Sequence, residues 1–307
     1  MPANQDAVAP QRGISTIVTG LLRSMRPRQW TKNGFVFAAL LFDGKLFQRE
    51  PVIASIFGFI IFCLLSSAVY LINDSVDVPA DRLHPTKRNR PIARGDVPVP
   101  LAVSWAVLLA VVSLAVAFAL NPAFGVIGLL YFASTVFYSF VLKHIVIVDV
   151  LVVALGFVLR VGAGAALVEA IRFSPWMYVC MMMLALLLGF GKRRQELVEL
   201  AGSSSTRAIL TEYSIPLLDQ IISIVTGATL VAYAFYTFSA PQLPANHSMM
   251  LTIPFVIYGI FRYMYLVHVK GAGGAPDEVL LNDRPLQVAI GLWALSVVLV
   301  LYVLPQG

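Results

Sequence analysis

The sequence has little charge and almost no cysteine. Asp, Glu, Lys and Arg make up 12% of its 307 residues, against roughly 25% in soluble domains, and the mean hydropathy is +0.82. Cys63 and Cys180 both lie in apolar stretches without a nearby partner in sequence, which favours free buried thiols over a disulfide or a metal site. Residues 1–24 are polar and have no long apolar run before a small-residue cleavage site, so no cleaved signal peptide is expected. A soluble or disulfide-stabilised protein is therefore excluded.

Long apolar runs take the place of the missing charge. Most of them reach the roughly 17–25 residues that a spanning helix needs. About nine segments can be drawn, at 33–48, 52–73, 99–120, 123–142, 145–168, 174–190, 214–239, 249–267 and 286–304. The first is the weakest, because Asp43-Gly44-Lys45 interrupts it. The sequence predicts an all-α fold, a polytopic membrane bundle of about nine transmembrane helices, with a polar cytoplasmic segment at 1–24 and one transmembrane domain at 25–307.

The distribution of Lys and Arg orients this bundle. With a cytoplasmic N-terminus, the outside connections hold only Lys45, Arg49 and Arg172, Arg160 lies within a helix, and the other 18 of the 22 basic residues lie in or next to inside segments. Such an asymmetry follows the positive-inside rule and predicts a multi-pass protein of the inner (plasma) membrane with its active site facing the cytoplasm. Because topology and anionic lipids account for much of the net charge of +6, the basic pI does not indicate nucleic-acid binding.

Carboxylates cluster where the second apolar segment ends, at Asn73, Asp74, Asp77 and Asp81. If the helix continues at about 100° per residue, Asp74 and Asp81 fall within roughly 20° of each other and Asp77 about 60° to one side. Mg²⁺ is usually held by one or two carboxylates together with substrate phosphates. We therefore predict that these four residues bind Mg²⁺, with Mn²⁺ as a substitute, and that the three aspartates are catalytic. The alternative is an interfacial loop in which the aspartates only cap the next segment.

Basic residues gather on the same side as the carboxylates. Asp149 and Arg160 share a helix face about 16 Å apart, and both should face the bundle interior, where a guanidinium could bind phosphate or pair structurally. Lys143 is equally well explained as an interfacial residue. The candidate substrate-binding residues are Lys32, Lys87, Arg88, Arg90, Lys143, Arg160, Lys192 and Arg193, with Glu196 beside the last two.

The pattern Asn73-Asp74-x-x-Asp77-x-x-x-Asp81 at the end of a second helix resembles the first aspartate-rich motif of the UbiA-type intramembrane prenyltransferases, so a UbiA-like bundle is expected. Four further pieces resemble one branch of that superfamily, the decaprenyl-phosphate phosphoribosyltransferases. They are Arg26-Pro27-Arg28-Gln29-Trp30-x-Lys32-Asn33, His84-Pro85-Thr86-Lys87-Arg88-x-Arg90-Pro91-Ile92-Ala93, Gly191-Lys192-Arg193-x-x-Glu196-Leu197 and Asp283-Arg284-x-Leu286-Gln287.

The third piece departs from the typical prenyltransferase, which carries a second Asp-x-x-x-Asp motif after the sixth helix. Here Lys192, Arg193, Arg194 and Glu196 stand instead, and Lys and Arg can hold phosphates directly. The resemblance implies a Mg²⁺-dependent pentosyltransferase that moves 5-phosphoribosyl from phosphoribosyl pyrophosphate (PRPP) to a polyprenyl (decaprenyl) phosphate, releasing pyrophosphate and making a lipid-linked precursor of cell-wall arabinan. Its partners would be these two substrates and membrane lipids; self-association into a homo-oligomer is left open.

Two other functions stay open. One is prenyl transfer from a prenyl diphosphate to an aromatic or quinone-precursor acceptor. The other is transport, which the sequence disfavours because transporters tend to show internal repeats and polar sites near the membrane midplane.

The predicted orientation can be tested by cysteine labelling. Asn89→Cys should react with a membrane-impermeant maleimide only from the cytoplasmic side, because position 89 lies in a basic loop and such loops stay inside. Asn246→Cys should react only from outside, because its connection lies at the opposite end of the bundle. Labelling is measured on intact cells and on inverted vesicles. The reverse pattern would contradict the topology.

Overall fold

The computed structural model describes residues 13–170, 174–200, 208–272, 274, 279–280 and 282–304. No strand occurs among these residues, which form α-helices joined by 3₁₀ helices and turns, with a π-helix, Leu299–Val303, at the end of the last span. The α-helices are α1 (Ile14–Ser24), α2 (Ala38–Phe42), α3 (Arg49–Val76), α4 (Val78–Leu83), α5 (Pro91–Arg94), α6 (Val99–Leu120), α7 (Pro122–Phe140), α8 (Val148–Leu167), α9 (Pro175–Leu200), α10 (Ile215–Ser239), α11 (Ile253–His268) and α12 (Arg284–Val298). Residues 1–12 of the predicted polar segment, and Arg172 of a predicted outside connection, lie outside the described part.

Eight of the described helical segments are long and apolar enough to cross a membrane, so the predicted all-α membrane bundle is confirmed. Helices α3, α7, α9 and α11 end, and α6, α8, α10 and α12 begin, at the same end of the bundle, which we call the charged end because it carries the aspartate motif. Three helices start alike: the side chains of Asn121, Ser214 and Asp283 accept hydrogen bonds from backbone N–H groups three residues on, and each helix has a proline at its first or second position. Proline suits these positions because N–H groups in the first turn have no partner within the helix.

The first predicted span is not one α-helix. It consists of a 3₁₀ helix, Pro27–Phe37, followed directly by α2. At about 2.0 Å per residue in the 3₁₀ part and 1.5 Å in the α part, the two together are about 30 Å long, which equals the thickness of the hydrocarbon core of roughly 30 Å. The segment runs beside α3, where the Asn33 amide donates to Cys63 Sγ at 3.3 Å and to Ser66 Oγ at 3.2 Å. In the described part of the chain, the 3₁₀ helix and α2 together thus add a ninth crossing to the eight helical spans.

This 3₁₀ helix packs tightly on α8. Gly164 lies against the Val36 backbone, and a Cβ added at Gly164 would overlap the Val36 carbonyl oxygen. Val36 itself is fully buried. The close approach of the two backbones therefore requires glycine at this position.

The charged end is more helical than the sequence suggested. Residues 74–98, between the second and third apolar segments, contain the end of α3 and the short helices α4 and α5. Helix α9 continues ten residues past the sixth apolar segment to Leu200, so Lys192, Arg193 and Glu196 lie on a helix and not in the connection to the next segment. The reason is that Lys, Arg, Gln, Glu and Leu are all good helix formers, so the apolar run ends but the helix does not.

Gly164→Ala should destabilise the protein, because the new methyl group must displace the 3₁₀ backbone. Overpacking of this kind costs about 1–3 kcal/mol. Gly227→Ala is the matched control, since nothing lies within 4 Å of a Cβ there. We expect a lower thermal unfolding midpoint in detergent for Gly164→Ala only. Equal midpoints for both variants would contradict the close packing of this crossing.

Candidate active site

Asp74 and Asp81 converge on one guanidinium. Asp74 lies in the last turn of α3 and Asp81 in α4, and they are only 2% and 3% exposed. Arg90, just before α5, places Nη1 at 3.0 Å from Asp74 Oδ1 and at 2.7 Å from Asp81 Oδ2. Two buried carboxylates therefore share one cation.

Arg26 is a second cation on Asp74, and the list of candidate residues drawn from the sequence omits it. Its Nη2 lies 2.5 Å from the same Oδ1, and its guanidinium stacks 4.7 Å from the centre of the Tyr70 ring. Arg26 joins α1 to the 3₁₀ helix with a left-handed backbone (φ 54°), which a non-glycine residue adopts at a cost of about 1–3 kcal/mol. The only sequence signal was its place at the start of the Arg26-Pro27-Arg28 piece.

Asp77 has a separate set of partners. Lys143, in the 3₁₀ helix Leu142–His144 between α7 and α8, places Nζ 2.8 Å from Asp77 Oδ1. The Asn73 amide donates to Asp77 Oδ2 at 3.1 Å. Both groups of this ion pair are partly exposed, at 26% for Asp77 and 18% for Lys143. The four predicted metal ligands thus lie together, but each aspartate is paired with a basic side chain.

The donor set fits a divalent cation in its chemistry. Among the described residues, no group of three or more His, Cys, Asp or Glu side chains is already arranged around a metal position. However, one nitrogen of Arg90 bridges Asp74 and Asp81, so their oxygens are close enough to share a cation. Carboxylate and amide oxygens are the ligands that Mg²⁺ prefers.

A second ionic cluster lies where α8 begins and α9 ends. Arg193 is 6% exposed; its Nε is 2.7 Å from Asp149 Oδ2 and its Nη1 is 2.5 Å from Glu196 Oε2. The Tyr213 hydroxyl donates to Asp149 Oδ1 at 2.9 Å and accepts from the Ile147 N–H at 2.7 Å. Burial raises the pKa of Tyr213 to about 12, so this hydroxyl stays a donor at neutral pH. The sequence did not indicate Tyr213.

The remaining basic candidates are distributed around these clusters. Lys192 is 50% exposed, with Nζ 4.0 Å from Glu196. Arg88 is exposed, and Lys32 and Lys87 are partly buried and each has an interaction of its own. The segment from Lys143 to Asp149 joins the two clusters, since one end contacts Asp77 and the other contacts Arg193.

Arg160 lies apart from both clusters. It is buried, and its guanidinium donates to Asn33 Oδ1, the Gly156 carbonyl and the Tyr131 hydroxyl, each at 2.8 Å. It also stacks on the Tyr131 ring at 4.6 Å. These contacts tie α7, α8 and the 3₁₀ crossing together; that Arg160 binds substrate stays a prediction.

The bundle has the fold of the solved UbiA homologues. A UbiA homologue from Archaeoglobus fulgidus, solved with GPP and Mg²⁺, superposes with a TM-score of 0.68 at 19% identity over 92% of this chain and 100% of that one. A digeranylgeranylglyceryl phosphate synthase superposes with a TM-score of 0.66 at 12% identity, over 94% and 99%. At these identities the likeness defines the fold class, a UbiA-type multi-pass membrane protein.

Sequence comparison identifies the family. Residues 34–275 match the UbiA prenyltransferase family, and the chain belongs to it. A decaprenyl-phosphate phosphoribosyltransferase of Corynebacterium glutamicum is 36% identical, over 94% of this chain and 89% of the relative. A protein of the same name from Mycolicibacterium smegmatis is 36% identical, over 90% and 91%. The resemblance stated from the sequence motifs is therefore confirmed.

The two neighbouring basic residues on α9 should behave differently when removed. Arg193→Ala leaves Asp149 buried without its cation, which costs about 3–5 kcal/mol, whereas an exposed pair such as that of Lys192 contributes about 1 kcal/mol or less. We expect a strongly lowered thermal unfolding midpoint for Arg193→Ala and a nearly unchanged one for Lys192→Ala.

Adding Asp149→Asn to Arg193→Ala removes the unpaired carboxylate and should recover part of the loss. Equal midpoints for the two single variants would show that Arg193 is not a structural residue.

Proposed function

We propose that the protein transfers the 5-phosphoribosyl group from PRPP to a polyprenyl phosphate of the decaprenyl class and releases pyrophosphate. The observation that carries this proposal is the 36% identity, over nine-tenths or more of this chain, to proteins named for that reaction. The basic residues on α9, in place of a second aspartate motif, support it because both substrates bring phosphates. The product would be a lipid-linked pentose phosphate, suited as a precursor of cell-wall arabinan.

The reaction exchanges one bond at the ribose C1 carbon. An oxygen of the acceptor phosphate forms a bond to C1 while the bond from C1 to the pyrophosphate oxygen breaks, and the electron pair leaves with pyrophosphate. Positive charge develops on the sugar, as in other glycosyl transfers. Because the acceptor phosphate is already an anion, the reaction does not require a strong general base from the protein.

The residues divide between metal and phosphate. Asn73, Asp74, Asp77 and Asp81 would hold Mg²⁺, with Mn²⁺ as a substitute; the ion would neutralise charge on the leaving pyrophosphate. The basic groups at the charged end would bind the substrate phosphates and replace their hydration. These are Arg26, Lys32, Lys87, Arg88, Arg90, Lys143 and Lys192, with Glu196 orienting Lys192.

The proposed location is the inner membrane, with the charged end facing the cytoplasm. PRPP is soluble in water and would reach the aspartates from that side. The polyprenyl tail would lie along the apolar helices, which explains why a sugar-transferring enzyme is built into the membrane.

Purified protein should release pyrophosphate only when PRPP and a polyprenyl phosphate are both present. The measurement uses labelled PRPP with a short-chain polyprenyl phosphate and follows the label into the lipid phase. Prenylation of 4-hydroxybenzoate or a naphthoate from a prenyl diphosphate, without use of PRPP, would contradict the proposal and support aromatic prenyl transfer instead.

Asp77→Asn should lower turnover about a hundredfold and weaken Mn²⁺ binding, because a metal ion supplies several kcal/mol of charge stabilisation. Asp77 is the best choice, since it is partly exposed and its loss leaves the buried pairs intact. Mn²⁺ binding is read by electron paramagnetic resonance, so the result does not depend on activity. Asp96→Asn, in an exposed ion pair with Arg94, is the control. Unchanged metal binding in Asp77→Asn, or full activity in excess EDTA, would contradict the metal assignment.

A further inference from the structure

Helix α1 has an apolar face that no described part of the chain covers. Ile14, Val18 and Leu22 follow one another at intervals of four residues and therefore lie on one face. They are 82%, 48% and 52% exposed. Ser15, Thr16 and Thr19 are also exposed and polar, on another side of the helix. The sequence had predicted this stretch only as part of the polar segment 1–24.

The side of α1 that packs on the protein fixes how the helix is turned. Gly20 is buried, and a Cβ there would lie 2.7 Å from Val97 Cγ2 and 3.4 Å from Pro91 Cβ. Leu21 packs against the apolar cluster that contains Val97, and Ser24 is buried. Because α1 is held from this side, the face with Ile14, Val18 and Leu22 cannot turn inward.

The position of α1 along the bundle is set by its neighbours. The chain continues from Ser24 to Arg26, which reaches Asp74 at the end of α3. Val97, which contacts Gly20, lies two residues before the start of α6. Helix α6 then exposes Leu101 and Trp105 in its first turns, where the apolar outer belt of the bundle begins. Helix α1 therefore lies at the level where charged residues give way to membrane-facing ones.

We infer that α1 is an interfacial helix whose Ile14–Val18–Leu22 face inserts into the lipid leaflet at the charged end of the bundle. Amphipathic helices of this kind lie in the membrane plane with the apolar face about 5–10 Å below the boundary between headgroups and acyl chains. Arg23 and Arg28 are exposed close by, and their charge suits anionic lipid headgroups. The inference does not depend on the proposed reaction.

Its consequence concerns Arg26. The same helix that rests on the lipid ends beside this residue, whose left-handed backbone aims the guanidinium at Asp74. Lipid contact thereby helps to hold the Arg26–Asp74 ion pair in place.

The test is spin-label accessibility in the full-length protein, with Cys63→Ser and Cys180→Ser, reconstituted into vesicles of phosphatidylcholine and phosphatidylglycerol. Single cysteines replace Ile14, Val18 or Leu22, and Thr16 or Thr19 as controls on the polar side. Labels at the first three positions should be accessible to oxygen and shielded from a water-soluble nickel complex. The two controls should show the reverse.

Two outcomes would overturn the inference. Access of the nickel complex to positions 14, 18 and 22 would place this face in water, and shielding from both reagents would mean that protein covers it, either residues 1–12 or a second copy. A second variant tests whether the depth of α1 in the membrane depends on this apolar face. Val18→Asp should move a label at position 14 from below the phosphate level into water, whereas Thr19→Asp should leave its depth unchanged. No change with Val18→Asp would also count against the inference.

Discussion

Charge compensation of buried carboxylates is the constraint on which the charged end of this bundle depends. Asp74, Asp81 and Asp149 are almost fully buried, and an ion removed from water costs several kcal/mol unless a counter-charge lies close by. None of their cations comes from the aspartate's own helix: Arg90 precedes α5, and Arg193 lies on α9. The Arg26–Asp74 and Arg193–Asp149 pairs join residues 48 and 44 positions apart along the chain. The pairing that makes burial tolerable therefore also fixes the end of α3 against the segment after α1, and α8 against α9.

The pairs differ in how readily their cations can be exchanged. Arg193 and Asp149 are both buried and hydrogen-bonded on several sides, which suits a permanent structural link. Asp77 and Lys143 are partly exposed, so a metal ion or a phosphate can reach them from water. Arg90 stands between these cases, because it is itself partly exposed while its two aspartates are not. If the site binds Mg²⁺ as proposed, the metal would replace protein cations at the aspartates and those cations would turn toward the phosphates, so no carboxylate would be left unpaired.

The parts of this structure that the sequence predicted are those with local signals. The apolar runs predicted the spanning helices, and the spacing of Asp74, Asp77 and Asp81 indicated the family. The 3₁₀ crossing was only partly foreseen, because a 3₁₀ helix needs fewer residues per ångström than the α-helix that length rules assume. The partners of Asp74 and Asp149 could not be foreseen, since Arg26 and Arg193 lie 48 and 44 residues away along the chain. For the same reason the sequence did not reveal that Arg193 pairs with Asp149; that Arg193 also binds substrate stays a prediction.

The replacement of a second aspartate motif by basic residues therefore has two separate effects on α9. Arg193 faces inward and supplies the cation that Asp149 needs, so it contributes to the bundle itself. Lys192, one residue earlier, points about 100° away around the helix and is exposed beside Glu196. Of the two, only Lys192 can meet a phosphate arriving from water without breaking a buried pair. A basic cluster that reads as one motif in the sequence thus divides into a buried, paired residue and an exposed one, and the helical geometry of α9 makes that division.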